Sequence, residues 1–399
     1  MGATDPAAPA ERQSGRFLLL YALAAAGGAV AYVPFLTVLL PQRVTEMAGS
    51  RDVATLAYLA FFGALAASVG HIVFGWASDR TRTRRPWIMA GLMLSCALLL
   101  AIPLAATPLA LGALIVVWQL ALNMMLAPLA AWAGDSVPDG QKGLLGGILS
   151  FTPALGALSG ALVTLPGLAG ADGRLWLVAA LACGCVLPAL LVGAPRPMPQ
   201  LMDTAPAPAP ATGGHRREVA TMWLARLLVQ IAEAALFAYI LFWLRGIDPG
   251  FGDNRVATLF GAVLAAAVPL ALVIGLWSDR SGRPVRPLVV AAAVVALGLV
   301  VMALADSLQS AIAGYIVFGL ASSVFLSLHS AQTLRVLPHP ATRGRDLGFF
   351  NLTNTVPSLV MPWLAIGMVP AFGFAGLFLV LACLAGSAAL LLVAIDRRL

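Results

Sequence analysis

The stretch GWASDRTRTRRP, residues 75–86, places one aspartate and four arginines directly after an apolar segment, in a chain with only 10% charged residues. A related stretch, GLWSDRSGRPVRP, occupies residues 275–287. Four residues of the first stretch recur at an offset of 200 positions: Gly75, Ser78, Asp79 and Arg80 are repeated at 275, 278, 279 and 280. Because the chain has 399 residues, this offset predicts that its two halves are copies of one another.

The composition is that of an integral membrane protein. Hydrophobic residues make up 60% of the chain and the mean hydropathy is +0.93, well above the values of soluble domains. A segment of about 20 apolar residues spans a bilayer as a helix. We therefore predict an all-α membrane protein with twelve transmembrane helices, at 17–42, 53–78, 86–106, 108–134, 142–169, 174–194, 218–244, 255–278, 287–305, 308–334, 346–370 and 373–395.

These helices group into two bundles of six. The first bundle is predicted over 17–194 and the second over 218–395, with short tails at 1–16 and 396–399. The intervening segment 195–217 contains PAPAPATGG and is predicted to be a cytoplasmic linker. Such pseudo-repeats are typical of secondary transporters, whose substrate site lies between the two halves.

The basic residues predict the orientation. With both tails in the cytoplasm, 18 of the 24 Lys and Arg fall on cytoplasmic segments, five on the opposite side, and one, Arg226, inside a helix. The net charge of +7 therefore faces anionic lipid, and nucleic acid is not an expected partner.

The repeated motif resembles the major facilitator superfamily over essentially the whole chain. The loop between helices 2 and 3 in that family reads approximately G-x-x-x-D-R-x-G-R-R. Residues 75–80 begin this pattern before TRTRRP departs from it, and residues 275–283 retain D-R-x-G-R. The resemblance implies the major facilitator fold and transport by alternating access.

A glycine one turn before an aspartate lets another helix approach closely, and the carboxylate then suits the N-terminus of that helix. The resemblance implies that Asp79 meets the start of helix 11 and Asp279 the start of helix 5, closing the cytoplasmic side. The predicted gate comprises Gly75, Asp79, Arg80, Asp135, Gly275, Asp279, Arg280 and Arg283. The alternative is that the arginines only anchor the topology, which suffices for Arg82, Arg84 and Arg85.

Helix 4 resembles the sucrose-transporter and glycoside-pentoside-hexuronide branch of that superfamily. The branch carries D-x-x-N-N, then a proline, then an aspartate seven residues later, and Asn123, Pro128 and Asp135 match that spacing. Gln119 stands where the branch has its first acid. The resemblance implies a sugar or glycoside as the solute, with a different carboxylate carrying any proton coupling.

Glu233 is the acid near the middle of a predicted helix. Arg226, Gln230 and Glu233 follow at i, i+4 and i+7 and so share one helical face. A charged residue within the membrane is costly and is functional by default. We predict a substrate and proton site there; a structural Arg-Gln-Glu network is the alternative.

Neutral polar residues are predicted to complete this site, and they suit a hydroxyl-rich or amphipathic ligand. They are Gln119, Asn123, Tyr32, Tyr315, Ser322 and Asn354. Hydrogen bonding between packed helices is the alternative explanation for each of them.

The sequence thus predicts a secondary active transporter of a small organic solute, favouring a sugar or glycoside, with proton coupling through Glu233. The alternative is a proton-coupled efflux antiporter for amphipathic compounds or drugs, because TPALGALSG, residues 152–160, partly matches the helix 5 motif of drug antiporters. No enzyme motif such as a P-loop or H-E-x-x-H occurs. We expect no cofactor or metal, and a multi-pass monomer in the cell (inner) membrane.

Overall fold

The computed structural model describes residues 12–48, 52–165, 167–201, 213–251, 253–337 and 340–396. Its first half contains six helices separated by short turns. Helix α1 runs through Gly15–Pro34, a π-helical turn at Phe35–Leu39 and Leu40–Ala48. The others are α2 (Asp52–Thr81), α3 (Arg85–Ala101), α4 (Pro108–Ser136), α5 (Lys142–Leu149 and Phe151–Val163) and α6 (Ala171–Val192).

The second half follows the same plan. Its first four helices are α7 (Gly213–Ile247), α8 (Asp253–Ser281), α9 (Arg286–Ala303) and α10 (Leu308–Val336). The last helical element, Arg343–Asp396, is interrupted at Gly373, where φ is 65° and ψ is −175°. We name its two arms α11, before Gly373, and α12, after it. A left-handed φ of this kind is open to glycine because glycine has no Cβ.

The 200-residue repeat is visible in the helix boundaries and in the turns. Helices α4 and α10 begin at residues 108 and 308, and each starts after a capping hydroxyl, Thr107 or Ser307, that accepts a backbone N–H. The α2–α3 turn has a positive φ of 52° at Arg82, and the α8–α9 turn has a φ of 64° at Gly282. The same backbone turn is therefore built from a glycine in one half and from an arginine in the other.

Arg82→Gly is expected to stabilise the protein modestly. A non-glycine residue in the left-handed region costs about 1–2 kcal/mol, which the change to glycine removes. The greater freedom of glycine in the unfolded chain offsets about 0.5–1 kcal/mol of this gain in stability. Thermal unfolding of the purified protein measures the difference. Arg82→Ala is the control, because alanine retains the strain of the left-handed φ. If Arg82→Ala stabilised the protein as much as Arg82→Gly does, the explanation would be contradicted.

Eleven helical stretches of the described residues are long and apolar enough to cross a bilayer. The predicted span 346–370 lies in α11 and is not among them, so a twelfth crossing stays a prediction. Helix α5 ends at Val163, earlier than the predicted residue 169, because the chain turns at Thr164. Residues 1–11, most of the linker (202–212) and 397–399 lie outside the described part, and α7 already begins at Gly213.

One end of the bundle carries both ends of the described chain. Near the N-terminus, the buried Gln13 donates from Nε2 to the carbonyls of Ser136, at 2.9 Å, and Arg196, at 3.2 Å. In the second half, Arg286 Nε lies 3.3 Å from Asp396 Oδ2. We call this end the terminal face. Its location in the cytoplasm remains the prediction of the basic residues.

Candidate transport site and gate

The end of α2 meets the start of α11 at the terminal face. The Asp79 carboxylate accepts hydrogen bonds from the backbone N–H groups of Gly344 and Arg345, both at 2.9 Å. Helix N-termini carry unpaired N–H groups and favour negative charge, so this bond pair is charge-assisted. A Cβ on Gly75 would overlap the carbonyl of Gly344, so glycine is required for the approach. We call this the α2–α11 contact.

The second copy makes the equivalent contact with the first half. The Asp279 carboxylate accepts from the backbone N–H groups of Gly143 and Leu144 at the start of α5, both at 2.8 Å. Gly275 packs on the carbonyl of Gly143, where a Cβ would again overlap. This α5–α8 contact and the α2–α11 contact each join one half to the other. The resemblance implied both carboxylate placements.

The arginines that bind these aspartates are not all the predicted ones. Arg84 lies 2.7 Å from Asp79 Oδ1 and donates from Nε to Asp135 Oδ2 at 2.8 Å. Asp135 also accepts from Arg343 Nη1 at 2.6 Å, which joins α4 to the start of α11. The predicted gate residue Asp135 is therefore connected to Asp79 through Arg84.

Arg335 plays the corresponding part in the other half. Its Nη2 lies 2.9 Å from Asp279 Oδ1 and also donates to the carbonyl of Asp139. Beside it, the buried Lys142 binds Asp139 Oδ1 at 2.6 Å. The α5–α8 contact thus has its own basic partners, supplied by α10 and α5.

Arg80, Arg280 and Arg283 are exposed and make no ion pair within the described residues, in contrast to their predicted place in the gate. Each of the first two directly follows an aspartate, and neighbouring residues on a helix point about 100° apart. Arg84 instead reaches back after the left-handed turn at Arg82. Burial by itself would lower the pKa of Arg84, but Asp135 and then Asp79 outweigh it and raise that pKa above its usual value.

A cavity of about 170 Å³ lies between the two halves, next to these contacts. Both halves line it, through α1, α2, α4, α5, α7, α10 and α11. Its polar lining consists of Tyr21, His71, Arg226, Ser330, Thr333, Asn351 and Asn354. It is therefore placed where the sequence predicts the substrate site, between the halves.

Arg226 is held at this cavity by neutral groups. Its Nε donates to Thr353 Oγ1 at 3.1 Å and its Nη1 to Ser330 Oγ at 3.0 Å and the Leu326 carbonyl at 3.3 Å. Its Nη2 makes a long 3.4 Å contact with Asn354 Oδ1. Gln230 donates to the same oxygen at 2.6 Å, so α7 and α11 are cross-linked by the predicted residues Arg226, Gln230 and Asn354.

Glu233 lies elsewhere, away from the residues that line the cavity. Ser322 of α10 is within hydrogen-bonding reach of its carboxyl group, and Tyr315 lies near enough to interact with its charge. Its buried Oε2 has no hydrogen-bond partner in the described residues. Glu233, Ser322 and Tyr315, three predicted site residues, are thus brought together, but separately from Arg226.

The predicted polar residues of α4 form part of a third group. Asn123 donates from Nδ2 to the Gln119 carbonyl at 2.9 Å, and its Oδ1 lies 3.0 Å from Nδ1 of the buried His71. Asn123 and Gln119 themselves do not line the cavity, and neither does the exposed Tyr32 of α1. His71 was not predicted. The sequence feature that could have identified it is a single histidine in the apolar run of α2, eight residues before Asp79.

Comparison with protein families assigns the chain to a superfamily. The model of the Major Facilitator Superfamily matches residues 4–161 and 222–398. The chain belongs to this superfamily. Its members are transporters and not enzymes, so the chain is a multi-pass membrane transporter protein with the all-helical fold of that superfamily.

Solved structures of transporters share the fold. The human organic anion transporter MFSD10 (TETRAN) is 14% identical, with a TM-score of 0.75 over 94% of this chain and 99% of that one. FucP in its outward conformation, a fucose:proton symporter of E. coli, is 12% identical, with a TM-score of 0.75 over 95% and 98%.

A third structure with this fold is the proton:xylose symporter XylE bound to 6-bromo-6-deoxy-D-glucose. It is 13% identical, with a TM-score of 0.73 over 95% of this chain and 96% of that one. No curated protein matches the sequence significantly. At such identities the likeness establishes the fold and not the solute.

Proposed function

We propose that the chain is a secondary active transporter that moves a small organic solute by alternating access. The observation that carries the proposal is a cavity between the halves, adjoining two equivalent aspartate–helix contacts that join those halves at one face. Closure of one face by ion pairs and glycine contacts that can separate is what one state of an alternating-access cycle requires. The gate is therefore assigned to the α2–α11 and α5–α8 contacts.

A sugar or glycoside is the solute favoured by the resemblance of α4. The cavity supports a polar solute, because hydroxyl, amide and imidazole groups from both halves line it. Structural similarity to FucP and XylE, symporters of fucose and xylose, is consistent with that class. The protein is proposed to act as a monomer in the cell (inner) membrane.

Proton coupling is proposed to run through Glu233. A carboxyl group within the span of a helix, with a buried oxygen that finds no partner among the described residues, is costly when charged and so is suited to exchange a proton. Tyr315 and Ser322 supply the polar surroundings. The site is predicted to exchange its proton when the halves rearrange.

Glu233→Gln is expected to reduce solute-driven proton flux in proteoliposomes at least about tenfold. Solute counterflow without a proton gradient should continue. The amide retains the shape of the side chain but cannot exchange a proton. A pH-sensitive dye measures the flux during addition of a panel of sugars. Glu46→Gln, at an exposed acid on the opposite face, is the control and should behave as wild type. Unchanged proton flux in Glu233→Gln would rule out this route.

The second candidate is an efflux antiporter for amphipathic compounds or drugs. The observation in its favour is the large apolar fraction, 60%, together with Gln119 in place of the acid of the sugar symporters. Proteoliposomes loaded with an amphipathic fluorescent dye distinguish the two. Proton-driven loss of the dye, without any response to sugars, would favour efflux.

A further inference from the structure

We propose that the central cavity binds a small hydroxylated organic anion, with its carboxylate on Arg226 of α7 and a hydroxyl on His71 of α2. The inference deepens the proposed function and rests on it, because the cavity is taken as the transport site. It concerns the class of the solute, which the superfamily does not determine.

The charge balance of the cavity calls for an anion. The titratable residues among those that line it are Tyr21, His71 and Arg226, and none of the lining residues is an acid. The guanidinium is protonated at every relevant pH. Every hydrogen-bond acceptor that the described part of the chain places around Arg226 is neutral: Thr353, Ser330, Asn354 and the carbonyl of Leu326. A positive charge in a membrane cavity with no counter-ion is costly, and a bound carboxylate supplies the missing negative charge.

Glu233 does not supply that charge. It follows Arg226 by seven residues, about 10 Å along the helix axis at 1.5 Å per residue. Its contacts are with Ser322 and Tyr315, and no ion pair joins it to Arg226 within the described residues. The two charged groups of α7 therefore serve different purposes.

The guanidinium retains donor capacity for a ligand. Among the described residues, its Nη2 has only the 3.4 Å contact with Asn354 Oδ1, and that oxygen is already bound by Gln230 at 2.6 Å. Nε and Nη1 have closer partners, which hold the plane of the group in place. A carboxylate is one of the anions that a guanidinium binds strongly, through short charge-assisted hydrogen bonds. Nη2 is thus the nitrogen assigned to the solute.

The first half contributes an acceptor. Because Asn123 donates its amide to the Gln119 carbonyl, its Oδ1 is the atom that faces His71 and accepts from Nδ1. Neutral His71 then carries its proton on Nδ1, and its Nε2 is an acceptor with no hydrogen bond inside the described part of the chain. A hydroxyl of the solute satisfies this nitrogen. One ligand would thereby bridge the two halves.

The size of the cavity limits the solute. About 170 Å³ is smaller than the roughly 300–1,000 Å³ of pockets for drug-sized ligands. A sugar acid or a shorter hydroxy acid suits this space better than a large amphipathic compound.

Matched ligand pairs test the inference on the purified full-length protein by thermal unfolding. Sodium glucuronate is compared with glucose, and sodium glycerate with glycerol, at an ionic strength kept constant with sodium chloride. A ligand that binds the folded state raises the unfolding temperature with its concentration. We expect at least one carboxylate to bind at least about tenfold more tightly than its neutral partner. Equal effects within both pairs, or no effect of either carboxylate, would overturn the inference.

Variants then locate the site. Arg226→Met is expected to remove the carboxylate response. Arg226→Lys is expected to weaken it at least about tenfold, because lysine retains the charge but lacks the nitrogens that bind Thr353 and Ser330 and so hold Nη2 in place for the solute. Arg16→Met removes an exposed arginine and should match wild type. Should the Met variant not fold, the Lys variant decides. Wild-type carboxylate affinity in the folded variants would overturn the inference.

Counterflow in proteoliposomes separates this inference from the proposed function. Exchange of labelled glucuronate, lost in Arg226→Met, supports both. Exchange of labelled glucose but not of glucuronate would overturn the inference that the solute is an anion, and the transporter proposal would still stand. The Glu233→Gln experiment tests the proposed proton coupling without reference to Arg226.

Discussion

Gly275→Ala is expected to reduce transport by about tenfold or more while the protein still folds. The added Cβ would overlap the carbonyl of Gly143, so α8 and α5 must separate at the terminal face. Overpacking of this kind costs about 1–3 kcal/mol, and the cost falls on the state in which this face is closed. The equilibrium between the two access states therefore shifts towards the open face. Counterflow in proteoliposomes gives the rate, and thermal unfolding checks the fold.

Helix α8 provides its own control. A Cβ on Gly261 would meet no atom within 4 Å, so Gly261→Ala makes the same chemical change on the same helix without an overlap. It should transport as wild type does. Gly75→Ala should repeat the loss, because its Cβ would overlap the carbonyl of Gly344 in the α2–α11 contact. Wild-type transport by Gly275→Ala would show that close packing at the terminal face is not required.

The repeated motif was enough to predict much of this arrangement. The recurrence of Gly75 and Asp79 at 275 and 279 indicated a duplicated bundle, and apolar runs gave eleven of the helices seen. Glycine before aspartate also indicated which carboxylates would face another helix. These features are local or periodic, so a sequence displays them directly.

The pairing of the arginines could not be predicted in the same way. Arg80 is adjacent to Asp79 in sequence, yet Arg84 binds it, because the turn at Arg82 reverses the chain and brings Arg84 back to the carboxylate. Arg343 reaches Asp135 across 208 residues of sequence. Such contacts depend on how the two halves pack, which a single sequence does not display.

The cavity illustrates the same limit. Arg226 and Asn354 were predicted as site residues and do line it, whereas Glu233 shares a helix with Arg226 but belongs to a separate group. His71 escaped prediction because a single histidine in an apolar helix has no pattern of its own. Its importance arises from the Asn123 amide on α4 and from the second half across the cavity.

Among substitutions of the charged residues at the terminal face, Arg84→Gln is expected to cause the largest loss of stability. Arg84 is 9% exposed and binds two aspartates that are themselves buried, Asp79 and Asp135. Removing one partner of a buried ion pair costs about 3–5 kcal/mol, because the remaining charge stays desolvated. The two backbone N–H donors to Asp79 and the Arg343 contact to Asp135 remain, so the lower end of that range applies. Thermal unfolding of the purified variant measures the loss.

Arg80→Gln is the matched change, four residues away on the same face of the membrane. Because Arg80 is exposed, its replacement should alter stability by less than about 0.5 kcal/mol. Arg84→Lys should fall between the two, since a lysine retains the charge but cannot span both carboxylates as the guanidinium does. If Arg80→Gln proved as damaging as Arg84→Gln, then the arginine next to the aspartate, as the motif first indicated, would be the one that closes the gate. The ordering of these three variants therefore decides which arginine neutralises the buried aspartates at the α2–α11 contact.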